Sequence, residues 1–345
     1  MILAVSCFLS VTAKAVQVYA PVALAFCTGI STLAIHFMFF EVNDNAMAEA
    51  LYFLGWLELL VIVQALSLRP GFLHRFAIVA LAIGLATVPY VNLTGGAGAI
   101  VRASAVGTAL ANGNALGMWF GFCTVYSIFW GFQSQNIALR ITSWAIAVGC
   151  FYMVAITVSR GPVLAIALAC IVGFRSMLKH SFVPLLVLVL MISLLYLSGV
   201  FDQELESYTS RGVEESGRGK LFPRALERIL NSPWIGVGLD DIKVPYGGRR
   251  VMNPHNGLLH IWLGAGIVPA MCFLGYLWRV AIGTRHLMRM VPVDEAMLIP
   301  PLVVFGLVEF MVLDYTFMSP WTVVAFGLAA GAGQAYARRA PPPLQ

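Results

Sequence analysis

Charge is scarce in this chain. Asp, Glu, Lys and Arg supply 11% of its 345 residues, where a soluble globular domain carries about 25%. With 60% hydrophobic residues and a mean hydropathy of +0.85, that deficit excludes a water-soluble fold. The apolar residues do not alternate with a period of two, which excludes a membrane-spanning barrel and leaves spanning helices. Paired cysteines are missing too. Cys7, Cys27, Cys123, Cys150, Cys170 and Cys272 all fall inside apolar runs, without metal-type spacing, and read as small core residues. There is no internal repeat and no low-complexity tract apart from the prolines at 341–343. The apolar run 2–12 lacks a basic residue ahead of it and a small-residue cleavage pattern after it, so it reads as a short first helix, not a cleaved signal.

What is present is a series of long apolar runs. A bilayer core of about 30 Å needs about 20 residues of helix. On that ruler spans are expected near 18–40, 48–68, 76–91, 115–132, 141–159, 162–178, 182–200, 257–280, 298–316 and 320–336. The fold class that follows is an all-α integral membrane protein of about 10–12 transmembrane helices, one polytopic domain over 1–345, with a larger polar loop at 201–255. The net charge of +5 is no nucleic-acid signal, because the basic residues cluster at the ends of apolar runs. Lys14, Arg69, Arg140, Arg175, Arg285 and Arg338 fall on one side if spans alternate, and the positive-inside rule makes that side the cytoplasm. Glu41, Asp44, Arg160 and the segment 201–255 then face outward, which is the periplasm if the cell is Gram-negative.

Within 201–255, the run from Pro223 to Leu230 reads as a short amphipathic helix with Phe222, Ala225, Leu226 and Ile229 on one face. Trp234 to Leu239, with Gly236 and Gly238, reads as a turn back to the membrane.

Several residues have chemistry to offer. Arg160 ends an apolar run, where an arginine can simply snorkel to water; Gly161-Pro162 after it implies a helix break with open amides, a setting for an anion. Arg218 lies between Gly217 and Gly219. It can pair with nearby Glu214 or Glu215, or it can grip phosphate bidentately where the glycines let a bulky anion approach. Lys220, Arg224 and Arg211 are further candidates for that anion. His255 opens the span after the loop. An interfacial histidine is often structural, but an imidazole titrates near neutrality and suits removal of a proton from a sugar hydroxyl, with Asn256 beside it to orient the ring. No acid or histidine stands three or four residues after His255, so the helix offers no metal pair. Asn112 and Asn114 open the 115–132 span and read first as helix caps, with Asn114 also a candidate substrate contact. Glu58, Glu309 and Asp314 are acids inside apolar runs. They raise the alternative of a transporter, against which stands the lack of an inverted repeat. A non-enzymatic scaffold gives no reason for two arginines and a histidine on one side.

Taken in order, Asn112-Gly113-Asn114-Ala115-Leu116-Gly117, Ser159-Arg160-Gly161, Gly217-Arg218 leading to Asn231-Ser232-Pro233-Trp234-Ile235-Gly236-Val237-Gly238, and Pro254-His255-Asn256 followed by Gly264 and Gly266 resemble the O-antigen ligase and O-antigen polymerase family. These are multi-spanning glycan transferases. The resemblance implies transfer of an undecaprenyl diphosphate-linked glycan to an acceptor outside the cytoplasmic membrane, with no cofactor, nucleotide sugar or metal. The motifs are shared by ligases and polymerases and leave the acceptor open between the lipid A core, a growing glycan on a second lipid carrier and a protein side chain. It also implies that Arg160 and Arg218 hold the donor's diphosphate and that His255 deprotonates the acceptor for an inverting displacement.

Overall fold

The computed structural model describes residues 20–66, 71–94, 102–108, 110–178, 218–247, 250–289, 298–312 and 320–339. The expected span at 182–200, the run 2–12, Arg211 and Asp314 lie outside them. The protein is an all-α integral membrane protein. Among the described residues six helices are long and apolar enough to cross a membrane. The chain divides into two compact units, one holding residues 1–70, 215–289 and 310–345, the other 71–214 and 290–309.

In the first unit, α1 (Ala20–Phe39) and α2 (Asp44–Leu66) match the first two expected spans. In the second, α3 (Phe72–Thr87) runs through a short 3-10 turn into a hairpin of β1 (Val91–Thr94) and β2 (Arg102–Ala105). That hairpin fills the stretch between the expected spans 76–91 and 115–132. Helix α4 (Gly113–Gln133) follows and is the unit's core, buried along most of its length. Glycines let its neighbours approach: a Cβ at Gly131 would meet the Trp144 indole, one at Gly173 the Phe129 ring, and one at Gly121 would lie 2.8 Å from Phe305. Helices α5 (Ile137–Ile156) and α6 (Arg160–Leu178) pack on it.

Back in the first unit, α7 (Arg218–Asn231) is the expected amphipathic helix, with two differences. It starts at Arg218, so Pro223 lies inside it rather than at its first turn. Its buried face is Leu221, Ala225 and Ile229, with Phe222 half-buried, while Leu226 is 46% exposed. The earlier start explains this, since a helix running from Arg218 gains Leu221 as a buried residue one turn ahead of Ala225. These side chains join Leu239, Ile242, Val244 and Leu263 in one core that also takes in Ala50 of α2 and part of Leu33 of α1.

A second hairpin, β3 (Val244–Gly247) with β4 (Arg250–Met252), leads to His255. The expected single span 257–280 is two helices, α8 (Gly257–Ala265) and α9 (Ile267–Arg289), parted at Gly266 (φ 80). Helix α9 packs against α1 and against α11 (Pro320–Arg339), which also packs on α2. Helix α10 (Ile299–Val312) precedes α11. Of the cysteines, Cys123, Cys150 and Cys170 are buried as expected, whereas Cys27 is exposed on α1. On a spanning helix such a face meets lipid as readily as core.

Candidate functional site

The four sequence motifs assemble in two pairs, one in each unit. In the second unit the first motif meets the second. Asn112 caps α4 by accepting from the Asn114 amide (2.9 Å), as its type and position predict. Asn114 turns its own side chain elsewhere: its Oδ1 accepts from Ser159 Oγ at 2.8 Å. A Cβ on Gly117 would lie 3.0 Å from both Pro162 and the Thr157 hydroxyl, so glycine lets α4 lie against the α5–α6 turn. Arg160 leads out of that turn as the first residue of α6, and its side chain is exposed. The helix break expected at Gly161-Pro162 lies earlier, at Thr157–Ser159. Pro162, as the third residue of α6, sits where its missing N–H costs nothing.

In the first unit the third motif meets the fourth, almost wholly by backbone. The amides of Val237 and Gly238 donate to the carbonyls of Leu263 (2.7 Å) and Gly264 (3.2 Å) at the end of α8. The Ile267 amide, opening α9, and the Trp262 indole both donate to the Pro233 carbonyl, at 3.0 and 3.2 Å. A Cβ on Gly236 (φ 70) would strike the Leu263 carbonyl, and one on Gly266 would strike the Trp234 carbonyl. Two chain segments thus lie backbone to backbone, and glycine is required on both.

At the other end of α8 stands His255, half-buried, with φ 50. Asn256 is the N-cap of α8: its Oδ1 accepts from the Leu259 amide (3.0 Å) and its Nδ2 donates to the Met311 carbonyl of α10 (3.1 Å). Its amide therefore anchors the start of α8 at both ends. Arg224 donates to the Pro245 carbonyl (2.7 Å), and Arg228 pairs with Asp241 and donates to the Lys243 carbonyl (2.6 Å). These arginines hold α7 to the approach of the second hairpin. Arg218 and Lys220 lie in the first turn of α7.

Two ties were not legible in the sequence. The Leu239 amide donates to Nδ1 of buried His36 on α1 (3.2 Å), and Asn43 donates to Asp240 (2.7 Å). They join the α1–α2 connection to the 237–241 turn, two stretches the charge pattern put on one side of the membrane.

Among the described residues, the non-glycine positions with positive φ are Val158 (φ 49) and His255 (φ 50). A β-branched residue in that region is a true outlier, and strain of this kind gathers at functional sites. One of the two lies two residues before Arg160; the other is the candidate base itself.

Residues 145–274 match the model of the O-antigen ligase family. The O-antigen ligase match takes in Arg160, Arg218, the backbone interlock and His255, and begins after the Asn112–Gly117 motif. No curated protein matches the chain.

Proposed function

We propose that the protein is a lipid-linked glycan transferase of the O-antigen ligase type, working at the outer face of the cytoplasmic membrane. The acceptor hydroxyl attacks the anomeric carbon of a glycan carried on undecaprenyl diphosphate. The new glycosidic C–O bond forms as the bond to the diphosphate breaks on the opposite face, so the configuration inverts. His255 takes the hydroxyl proton, and the electron pair leaves with the diphosphate, whose charge Arg160 and Arg218 neutralise. Lys220 and Arg211 add positive charge for the same anion. Neither nucleotide sugar nor metal is needed.

The observation that carries this reading is the coincidence of the two positive-φ residues, Val158 and His255, with the motifs that hold Arg160 and the histidine. The backbone there is held against its own preference, as expected where a side chain must be aimed. The family match over 145–274 supports the same chemistry.

The test is reconstitution in proteoliposomes with purified lipid-linked glycan and either lipid A core or a second lipid-linked glycan as acceptor. Product on the first acceptor makes the protein a ligase; product on the second makes it a polymerase. His255→Gly accommodates φ 50 without a Cβ yet removes the base, so it should fold at least as well as the parent and transfer about 10²-fold to 10⁴-fold more slowly. Arg160→Ala and Arg218→Ala should likewise abolish transfer, and Arg218→Lys should not restore it, because an ammonium cannot hold two phosphate oxygens at once. Near-normal transfer by folded His255→Gly would sink the mechanism.

A further inference from the structure

The apolar face of α7 is wider than the protein covers. From Leu221 onward, at about 100° per residue, one apolar arc of about 180° runs from Leu221 and Ala225 through Ile229 and Phe222 to Leu226 and Leu230, with Arg218 at the helix start falling within the same arc. The opposite arc is Glu227, Lys220, Asn231, Arg224 and Arg228. A surface helix facing a core needs an apolar stripe of only about 100°. The core fills the part centred on Leu221, Ala225 and Ile229, and leaves Leu226 46%, Leu230 69% and, just past the helix end, Trp234 71% exposed.

The roll of the helix is fixed. Arg224 on the Pro245 carbonyl, and Arg228 on Asp241 and the Lys243 carbonyl, tie the polar arc to the hairpin side, so Leu226 and Leu230 stay turned outward.

The uncovered strip also runs on into the apolar surface of a candidate membrane span. Trp234 meets the chain where α9 begins, through the Ile267–Pro233 hydrogen bond and the close passage of Gly266 by the Trp234 carbonyl. Helix α9 is a membrane-spanning candidate and exposes Val268, Met271, Leu274 and Trp278 along one face. Exposed apolar residues on a spanning helix face acyl chains, and tryptophan is enriched where such a face meets the headgroups.

We infer that α7 is an interfacial helix: Leu226, Leu230 and Trp234 sink into the bilayer leaflet on the side of the 201–255 segment, while Glu227 and Asn231 remain in water. The occupant of the strip is lipid acyl chain, continuous with the lipid that covers α9. This assignment does not depend on the transferase reading.

The test is photolabelling of the full-length wild-type protein in proteoliposomes of phosphatidylcholine bearing a diazirine midway along one acyl chain, followed by tryptic mapping. Cleavage after Arg228 and Lys243 releases residues 229–243 as one peptide, and cleavage after Arg250 and Arg279 releases 251–279. Adducts on Leu230 and Trp234, alongside those on Val268 and Met271, are the expected result. Leu226→Asp with Leu230→Asp should lose the adducts at Trp234 and keep those at Val268 and Met271. Labelling of α9 with none at Leu226, Leu230 or Trp234 in the wild type would overturn the assignment. So would disulfide-linked dimers from Leu230→Cys, which would give the strip to a second copy of the chain.

Discussion

Single glycines in this molecule differ sharply in what they do, and the difference can be measured. Gly266 has φ 80 and ψ −169, a region open in practice to glycine alone, and a Cβ there would strike the Trp234 carbonyl. Gly149 lies within α5 with nothing within 4 Å of where its Cβ would be. Gly266→Ala should therefore cost more than about 2 kcal/mol, whereas Gly149→Ala should be neutral or stabilise by up to about 1 kcal/mol. Unfolding of both variants in the same detergent compares them; equal midpoints would show that the interlock yields to a methyl group. The sequence places Gly266 in a motif but does not show what it touches, and Gly149 lies in no motif. His36 it did not announce at all, because its partner, the Leu239 amide, is more than 200 positions away and is a backbone group, which leaves no trace in residue type. Asn256 was legible as a polar residue beside the histidine; only the fold shows its amide spent on the Leu259 amide and the Met311 carbonyl.

Elements were legible in proportion to how much of their pattern the membrane alone dictates. Spans α1 to α5 fell close to where apolar length put them, since about 20 residues of helix are forced by the bilayer. Helix α7 was found by its amphipathic period, yet its start and its buried seam shifted, because Leu221 was left outside the window that began at Phe222. The break at Gly266 was missed for a related reason. Hydropathy is uniform from Gly257 to Val280, and what divides the run is a second chain segment entering from 233–238, a tertiary cause. The two hairpins carry no sequence signal because strands of three or four residues hold too short an alternation to read. At this scale the contact between α4 and the α5–α6 turn can be weighed. Removing Ser159 Oγ or the Asn114 amide breaks the same 2.8 Å hydrogen bond. A double-mutant cycle on Ser159→Ala and Asn114→Ala should thus show a coupling of about 0.5–1.5 kcal/mol in unfolding. Additivity within about 0.3 kcal/mol would mean that the bond contributes nothing.

Over the whole molecule, composition settled the class, and the basic residues set an orientation that reporter fusions can check. An enzyme active only outside the cytoplasm, fused after Gly248, should be active, and fused after Arg285 or Arg339 it should not be. The reverse pattern would turn the protein over and remove the outward-facing reading of His255. The helix break at Gly266 bears on where along the membrane normal that histidine can work. Helix α8 has nine residues, about 14 Å of rise, and cannot span a hydrocarbon core of about 30 Å. A broken backbone at that depth is ordinarily prohibitive, because each peptide group stripped of water without a partner costs several kcal/mol. Here the Val237 and Gly238 amides supply the missing donors and the Pro233 carbonyl accepts from the orphan Ile267 amide, so protein groups take the place of water at the break. Such a break can lie below the headgroups, and under the proposed transferase reading His255, at the outer end of α8, can then meet the acceptor hydroxyl at headgroup depth, where the diphosphate of a lipid-linked donor lies.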